Sequence, residues 1–235
     1  MKITLLTGRT CDFSDVLGME IKVVQVARSR RISLRIDEKQ RIPVLSIPKF
    51  CSIKKAKIFI LEHKDWIVDS LAKIPSKITL KNKDIISLGG KEIEICHDRF
   101  RRGTSLENGV LAVGGDECFL HRRVMDFAKK YAKNVLCEKT YEAAKKLDCK
   151  VHRITLKDTK SRWGSCSSKN NINYNWRVIL APEFVIDYLV CHEVSHLKYQ
   201  NHSKEFWQCL ADMCPNFEEG RYWLKTNGKE LFSYI

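Results

Sequence analysis

A chain of 235 residues allows one large domain or two small ones, and 44% hydrophobic residues suffice for a core without disulfide support. Lys plus Arg is 42 against 28 Asp plus Glu, and the excess of +14 is spread evenly, +7 in residues 1–120 and +7 in 121–235, which excludes a detachable polybasic tail. The ten cysteines form no tight repeating pairs, the first residues lack the apolar stretch of a signal peptide, and no run reaches the ~18 apolar residues of a membrane span; the expectation is a cytoplasmic protein with reduced thiols and no membrane contact.

In chain order, Ile21 to Val44 reads as strand. Val24 and Val26, then Ile32, Leu34 and Ile36, alternate with polar residues as a half-buried strand requires, and Arg28, Arg30, Arg31 and Arg35 are interleaved to make a basic ribbon. Pro43 and Pro48 bracket a further short run, Val44 to Ile47. Ser52 is placed to cap a helix through Leu71, with Ala56, Phe59, Ile60, His63, Trp66 and Ile67 near helical spacing and Pro75 beyond its end. Short β runs return in 76–118, with Ile85 to Leu88, a Gly89-Gly90 turn, then Ile93 and Ile95.

From Cys118 to Leu147 the pattern becomes helical. Val124, Phe127, Ala128, Tyr131, Val135 and Leu136 form an apolar stripe among many lysines. A strand with Ile154 and Leu156 alternating follows, ending near Lys157. The fold class is therefore α+β, with a β-rich N-terminal region over 1–118 that contains one helix, and a mainly helical core with a small mixed sheet over 119–235.

The stretch from Pro182 to Phe206 carries the chemistry. Within it His192-Glu193-Val194-Ser195-His196 is an H-E-x-x-H match, of which chance supplies only about 0.01 in a chain of this composition. Residues four apart on a helix differ by about 40° in direction, so both imidazoles leave one face a turn apart and can hold one ion. Glu193 lies about 100° round, beside that ion and suited to activate a water. Pro182 suits a first helical residue, and Val185, Tyr188 and Leu189 share the histidine face, which must point inward. Two inward histidines need partners, and a metal satisfies both.

His202 supplies a third ligand only if the helix stops, because six further residues would rotate it by about 240°. Asn201 favours a left-handed helix end and Ser203 can cap a new helix over 204–213, so a break at Gln200–Asn201 would swing His202 back over the ion. The result is His192, His196 and His202 around Zn2+ with an open fourth position, and metal-assisted hydrolysis, foremost of a peptide bond, as the reaction class. Against it stands an amphipathic helix with two incidental histidines and a surface His202.

A second unusual stretch precedes the helix: Ser161-Arg162-Trp163-Gly164-Ser165-Cys166, then Asn173 to Arg177. Alternation of Ile172, Tyr174, Trp176 and Val178 fits a strand beside the helix, where an edge strand can bind substrate by backbone pairing. Arg162 or Arg177 can bind a substrate carboxylate or phosphate, and Trp163 is either a packing anchor or a stacking surface, with packing favoured. Cys166 and Cys191 read as buried structural thiols, and Cys209-x4-Cys214 has no matching metal partners.

The run SRWGSCSSKNNINYNWRVILAPEFVIDYLVCHEVSHLKYQNHSKEFW resembles the YgjP-like metallopeptidase family, and RSRRISLRI, DWIVDSLAKIP and ISLGGKEIEI resemble that family's N-terminal layout. The resemblance spans about residues 20–230 and leaves 1–19 outside. It implies a zincin-type core with zinc held at His192, His196 and His202, Glu193 as the catalytic residue, and a protein or peptide substrate. The H-E-x-x-H and F-W arrangement is also similar to WLM and SprT-like proteases, which cut proteins crosslinked to DNA, and some bacterial relatives are associated with nucleoside triphosphate pyrophosphohydrolysis.

Two alternatives follow. One is a metal-dependent UTP pyrophosphohydrolase, for which the chain lacks a P-loop and an acidic Mg2+ cluster. The other is a non-enzymatic protein with a structural zinc whose basic surface contacts nucleic acid or nucleotide. Binding that survives Glu193→Gln marks the last, whereas either hydrolase loses turnover.

Overall fold

The computed structural model describes residues 18–37, 40–74 and 76–234, with the backbone of two short paired strands, β1 (Ile3–Thr4) and β2 (Thr10–Cys11). Pro75 and the remaining features of residues 1–17 lie outside the described residues. The chain divides into two compact units, Met1–Ser76 and Lys77–Ile235. No helix among the described residues is long and apolar enough to cross a membrane.

The first unit holds a three-stranded sheet of order β3–β5–β4, from β3 (Lys22–Val26), β4 (Ser33–Asp37) and β5 (Ile42–Pro48). β3 runs parallel to β5 and β4 antiparallel to it. The expected inward face of β3 is reversed: Val24 and Val26 are each 37% exposed, while Ile21 and Val23 are buried against Leu45, Ile47 and the helices. A strand buries alternate residues, so a register one residue off exchanges its faces. The expected single helix is two, α1 (Ile53–Glu62) and α2 (Lys64–Ala72), broken at His63 with φ −108° and ψ 16°. Ser52 caps α1 as expected, its hydroxyl accepting from the Lys55 amide at 3.3 Å. Ala56, Ile60 and Ile67 are buried, whereas Trp66 is about half exposed.

The second unit opens with a four-stranded sheet of order β6–β7–β9–β8, from β6 (Ile85–Leu88), β7 (Lys91–Asp98), β8 (Thr104–Glu107) and β9 (Val110–Gly114). The Gly89-Gly90 turn has φ of +63° and +82°, which only glycine adopts without strain. A 3-10 turn then leads into α3 (Leu120–Lys146), whose buried stripe includes Val124, Ala128, Ala132 and Leu136. The sheet's inner residues Ile86, Ile93, Ile95 and Leu111 share one core with that stripe and with Val185 and Leu189 further on. That shared core is why residues 77–118, grouped by sequence with the N-terminal region, belong to the compact unit that carries 119–235.

A small mixed sheet completes the unit, in the order β10–β12–β11, from β10 (Arg153–Lys157), β11 (Gly164–Cys166) and β12 (Asn171–Asn175). β10 is parallel and β11 antiparallel to β12. Three helices follow: α4 (Glu183–Ser195), α5 (Lys204–Met213) and α6 (Phe217–Asn227). The architecture is mixed α+β, as the pattern of the sequence leads one to expect.

Candidate metal centre

α4 starts directly after Pro182, and its inward residues Val185, Tyr188 and Leu189 are 0%, 7% and 4% exposed. His192 and His196 leave the same face one turn apart. The helix ends at Ser195, ahead of the break expected at Gln200–Asn201. The reason is a tight turn that satisfies the last carbonyls: the Leu197 amide donates to Val194 O at 2.9 Å and the Lys198 amide to Ser195 O at 3.1 Å. Gln200 closes it by donating from its side chain to His196 O at 2.6 Å.

This turn brings His202 back. Its Nε2 lies 3.3 Å from Nε2 of His192, and the ligand atoms of His192, His196 and His202 all fall within 4.8 Å of one another. Ser203 then caps α5, accepting from the Phe206 amide at 3.5 Å. Phe206, fully buried, lies beside all three imidazoles, with ring centroids 5.1, 4.5 and 4.7 Å from His192, His196 and His202.

The donor set fits a tetrahedral divalent ion. Two nitrogens bound at roughly 2.0–2.1 Å to such an ion sit about 3.3 Å apart. Nδ1–H of His196 donates to Tyr199 O at 2.9 Å, which fixes the tautomer and leaves Nε2 with its lone pair free. Burial, then the charges of His196 and His202, hold His192 down at about 3, and burial also lowers His196 against the opposing hydrogen bond to Tyr199. Both rings are thus neutral at ordinary pH, the form that ligates. Among the described residues this trio is the only cluster of its kind.

Glu193 is 4% exposed, and its Oε2 has no hydrogen-bond partner. Burial pushes its carboxyl up to about 8, with the charge of Arg162 pulling the other way. The carboxylate lies against β11 at Gly164, beside a cleft of about 320 Å3 lined by Trp163, Tyr188, Leu189, His192, Leu224 and Lys225 among others. Leu224 and Lys225 have no signal in the sequence, and Tyr188 is marked there only as sharing the inward histidine face. Their spacing says only that they lie on helices, and the shared wall exists because α4 and α6 pack together.

The remaining sequence candidates separate. Arg162 is exposed, with its charge felt at Glu193, and it lines a second, smaller cavity that shares Trp163 and Gly164 with the cleft. Trp163 packs its ring 5.3 Å from Phe232 and against Gly228, yet also walls the cleft, so anchoring and lining coexist. Arg177 is not at the cleft. Its Nε donates to Asp158 Oδ1 at 2.8 Å and its Nη1 to Leu231 O and Tyr234 O at 3.2 and 2.9 Å, so its guanidinium is already engaged. The expected strand through Val178 also stops early: Asn175 caps a 3-10 turn over Trp176–Leu180, accepting from the Arg177 amide at 3.0 Å. β12 is moreover the middle strand of its sheet, and the edge strand beside α4 is β11. Burial pushes the Cys166 and Cys191 thiols up to about 11 and about 12, which keeps them protonated, as structural thiols are.

Compared with known proteins, residues 30–227 match the family described as YgjP-like, metallopeptidase domain. No curated protein matches the chain. Among solved structures, the metallopeptidase zymogen abylysin of Pyrococcus abyssi is similar at 20% identity, covering 39% of this chain and 94% of that one, with a TM-score of 0.34. The metallopeptidase zymogen jannalysin of Methanocaldococcus jannaschii is similar at 22% identity, covering 39% and 93%, with a TM-score of 0.31.

Proposed function

We propose that this chain, which belongs to the YgjP-like metallopeptidase family, hydrolyses peptide bonds at a zinc ion held by His192, His196 and His202, with Glu193 as general base and acid. The observation that carries the reading is the convergence of three imidazoles beside a buried carboxylate whose Oε2 has no partner. When bound, zinc lowers the pKa of a water and polarises a carbonyl oxygen.

The chain's own residues supply the rest. Tyr199 O holds the His196 ring in the ligating tautomer. Glu193, in its dry setting at the cleft floor, takes the proton of the attacking water and delivers it to the leaving amine. Trp163, Tyr188 and Leu224 exclude solvent on the cleft side and take an apolar side chain of the substrate, and Arg162, in the smaller cavity that shares Trp163 and Gly164, offers its charge to a substrate carboxylate. Arg177 has no part in binding substrate.

Elemental analysis and turnover of denatured casein test the proposal together. Wild type is expected to carry zinc and to lose both zinc and turnover on chelation. His202→Ala should lose zinc, and Glu193→Gln should keep zinc while kcat falls by about 10²–10⁴-fold. Casein turnover undiminished in Glu193→Gln sinks the assigned role of Glu193, and unchanged zinc content in His202→Ala sinks the third ligand.

A further inference from the structure

The Trp163-Gly164-Ser165-Cys166 run is not accounted for by metal binding. β11 passes so close to α4 that a Cβ built on Gly164 would collide with Oε1 of Glu193 and stand 2.6 Å from Cδ and 2.8 Å from Cγ of the same side chain. The backbone φ of Gly164 is not in the left-handed region, so conformation does not require glycine here. Space does.

Which side of that contact could yield is decided by how each is anchored. Gly164 pairs with Tyr174 in the sheet, and Tyr174 is fully buried with its hydroxyl 3.0 Å from Thr140 on α3. On one side of Gly164, Trp163 O accepts from the Asn175 amide at 2.7 Å; on the other, Ser165 pairs with Asn173 and its hydroxyl accepts from the Asn173 side chain at 3.2 Å. α4 is equally fixed, with Val190 and Val194 at 2% and 0% exposure on either side of the glutamate. Neither backbone can back away cheaply. The Glu193 side chain, ending in an unpartnered oxygen, is the part free to move.

We infer that Gly164 is a positioning residue: the bare backbone of β11 is the wall that sets where the Glu193 carboxylate stands relative to the three histidines. The inference rests on the assignment of Glu193 as the proton-transfer group. A methyl at position 164 would drive the carboxylate about 1 Å away to restore ordinary contact, leaving the histidines in place. A displacement of that size in a reacting group costs on the order of 10²-fold in rate.

Two readouts test this, one of which needs no substrate. In a double-mutant cycle on the metal-free 235-residue chain, Gly164→Ala is expected to lower the thermal midpoint in the wild-type background and to leave it unchanged in a Glu193→Ala background, where the methyl has room. On denatured casein, Gly164→Ala should keep its zinc and hold KM within about twofold while kcat falls by about 10²-fold. Shortening the acid should relieve the same crowding, so Glu193→Asp should cost less in the Gly164→Ala background than in wild type.

If Gly164→Ala keeps full kcat while Glu193→Gln is inactive, the inference is overturned and the role of Glu193 stands. If Glu193→Gln is itself active, the role of Glu193 fails, and the thermal cycle still decides whether the contact exists. Should Gly164→Ala prove insoluble, recovery of folded protein in the Glu193→Ala background supports the contact, and insolubility there as well overturns it.

Discussion

The two compact units bury different kinds of side chain. In the first, the described core is apolar, built from Ile21, Val23, Leu45, Ile47, Ile60 and Ile67. Among the described residues, the buried polar side chains, including Thr140, Asn175, Glu193, Ser195 and His196, all fall in the second. Most of these have a partner: Thr140 donates to Leu136 O, Ser195 donates to Cys191 O at 2.8 Å, and His196 donates to Tyr199 O at 2.9 Å. Three buried side-chain atoms of this unit do not: Nδ1 of His192 and Oε2 of Glu193 at the centre, and Nε1 of Trp176. An unsatisfied buried polar atom costs about 1–3 kcal/mol. Two of the three thus stand where the three histidines and Glu193 converge, a pattern expected of a functional site.

Lesions of similar size in the two cores should separate these roles. Phe206→Ala removes the ring lying beside all three imidazoles and should cost about 3–5 kcal/mol of stability. Because the histidines lose the surface that orients them, zinc affinity should also fall by about 10–100-fold, as it does when outer partners of ligands are removed. Leu45→Ala opens a cavity in the first unit at a cost of about 2–5 kcal/mol, but zinc affinity should stay at the wild-type value. Denaturant melts with competitive zinc titrations measure both quantities. An equal loss of zinc affinity in the two variants would erase the distinction between a core that supports the site and one that does not.

The same contrast explains what the sequence revealed. The three histidines and Glu193 were legible because helical spacing is a local property, and Ser203 marked the restart that returns His202. The exact end of α4 was not, since it depends on a turn closed by the Gln200 side chain. The inward face of β3 was misread because Val24 and Val26 alternate as convincingly as Ile21 and Val23, and only pairing with β5 chooses between them. Arg177 looked available because its partners are remote: Asp158 lies on the loop after β10, and the two carbonyls come from Leu231 and Tyr234 near the end of the chain. The closeness of Gly164 to Glu193 likewise arises from packing between elements and has no periodic signature.

Asn175 gives a smaller lesion that still distinguishes the units. Its side chain donates to Thr159 O at 2.8 Å and accepts from the Arg177 amide at 3.0 Å, tying the loop that carries Arg162 and Trp163 to the end of β12. Asn175→Ala should cost about 1–3 kcal/mol by leaving those groups unpaired. In casein turnover it should raise KM more than it lowers kcat, because the loop lines the cleft while Glu193 stays against β11. An unchanged melt would show that the polar groups buried here are incidental to stability.

The smallest effect is electrostatic. Asp158 is half exposed, and its partial burial would raise its pKa, but the hydrogen bonds and charge of Arg177 outweigh that and hold the carboxyl below 3.8. A carboxylate whose pKa is lower in the folded than in the unfolded chain contributes stability that is fully present above the unfolded value. That contribution fades as pH falls from 3.8 through the folded value, because protonation then no longer distinguishes the two states. With solvent screening at a half-exposed partner, the effect is about 1 kcal/mol. Asp158→Asn should therefore melt below wild type at pH 6, and the gap should narrow steadily as the pH is taken below 3.8. A gap that stays constant across that range would mean that Arg177 is held by the Leu231 and Tyr234 carbonyls alone, and that Asp158 adds shape to this corner of the second unit but no charge-dependent stability.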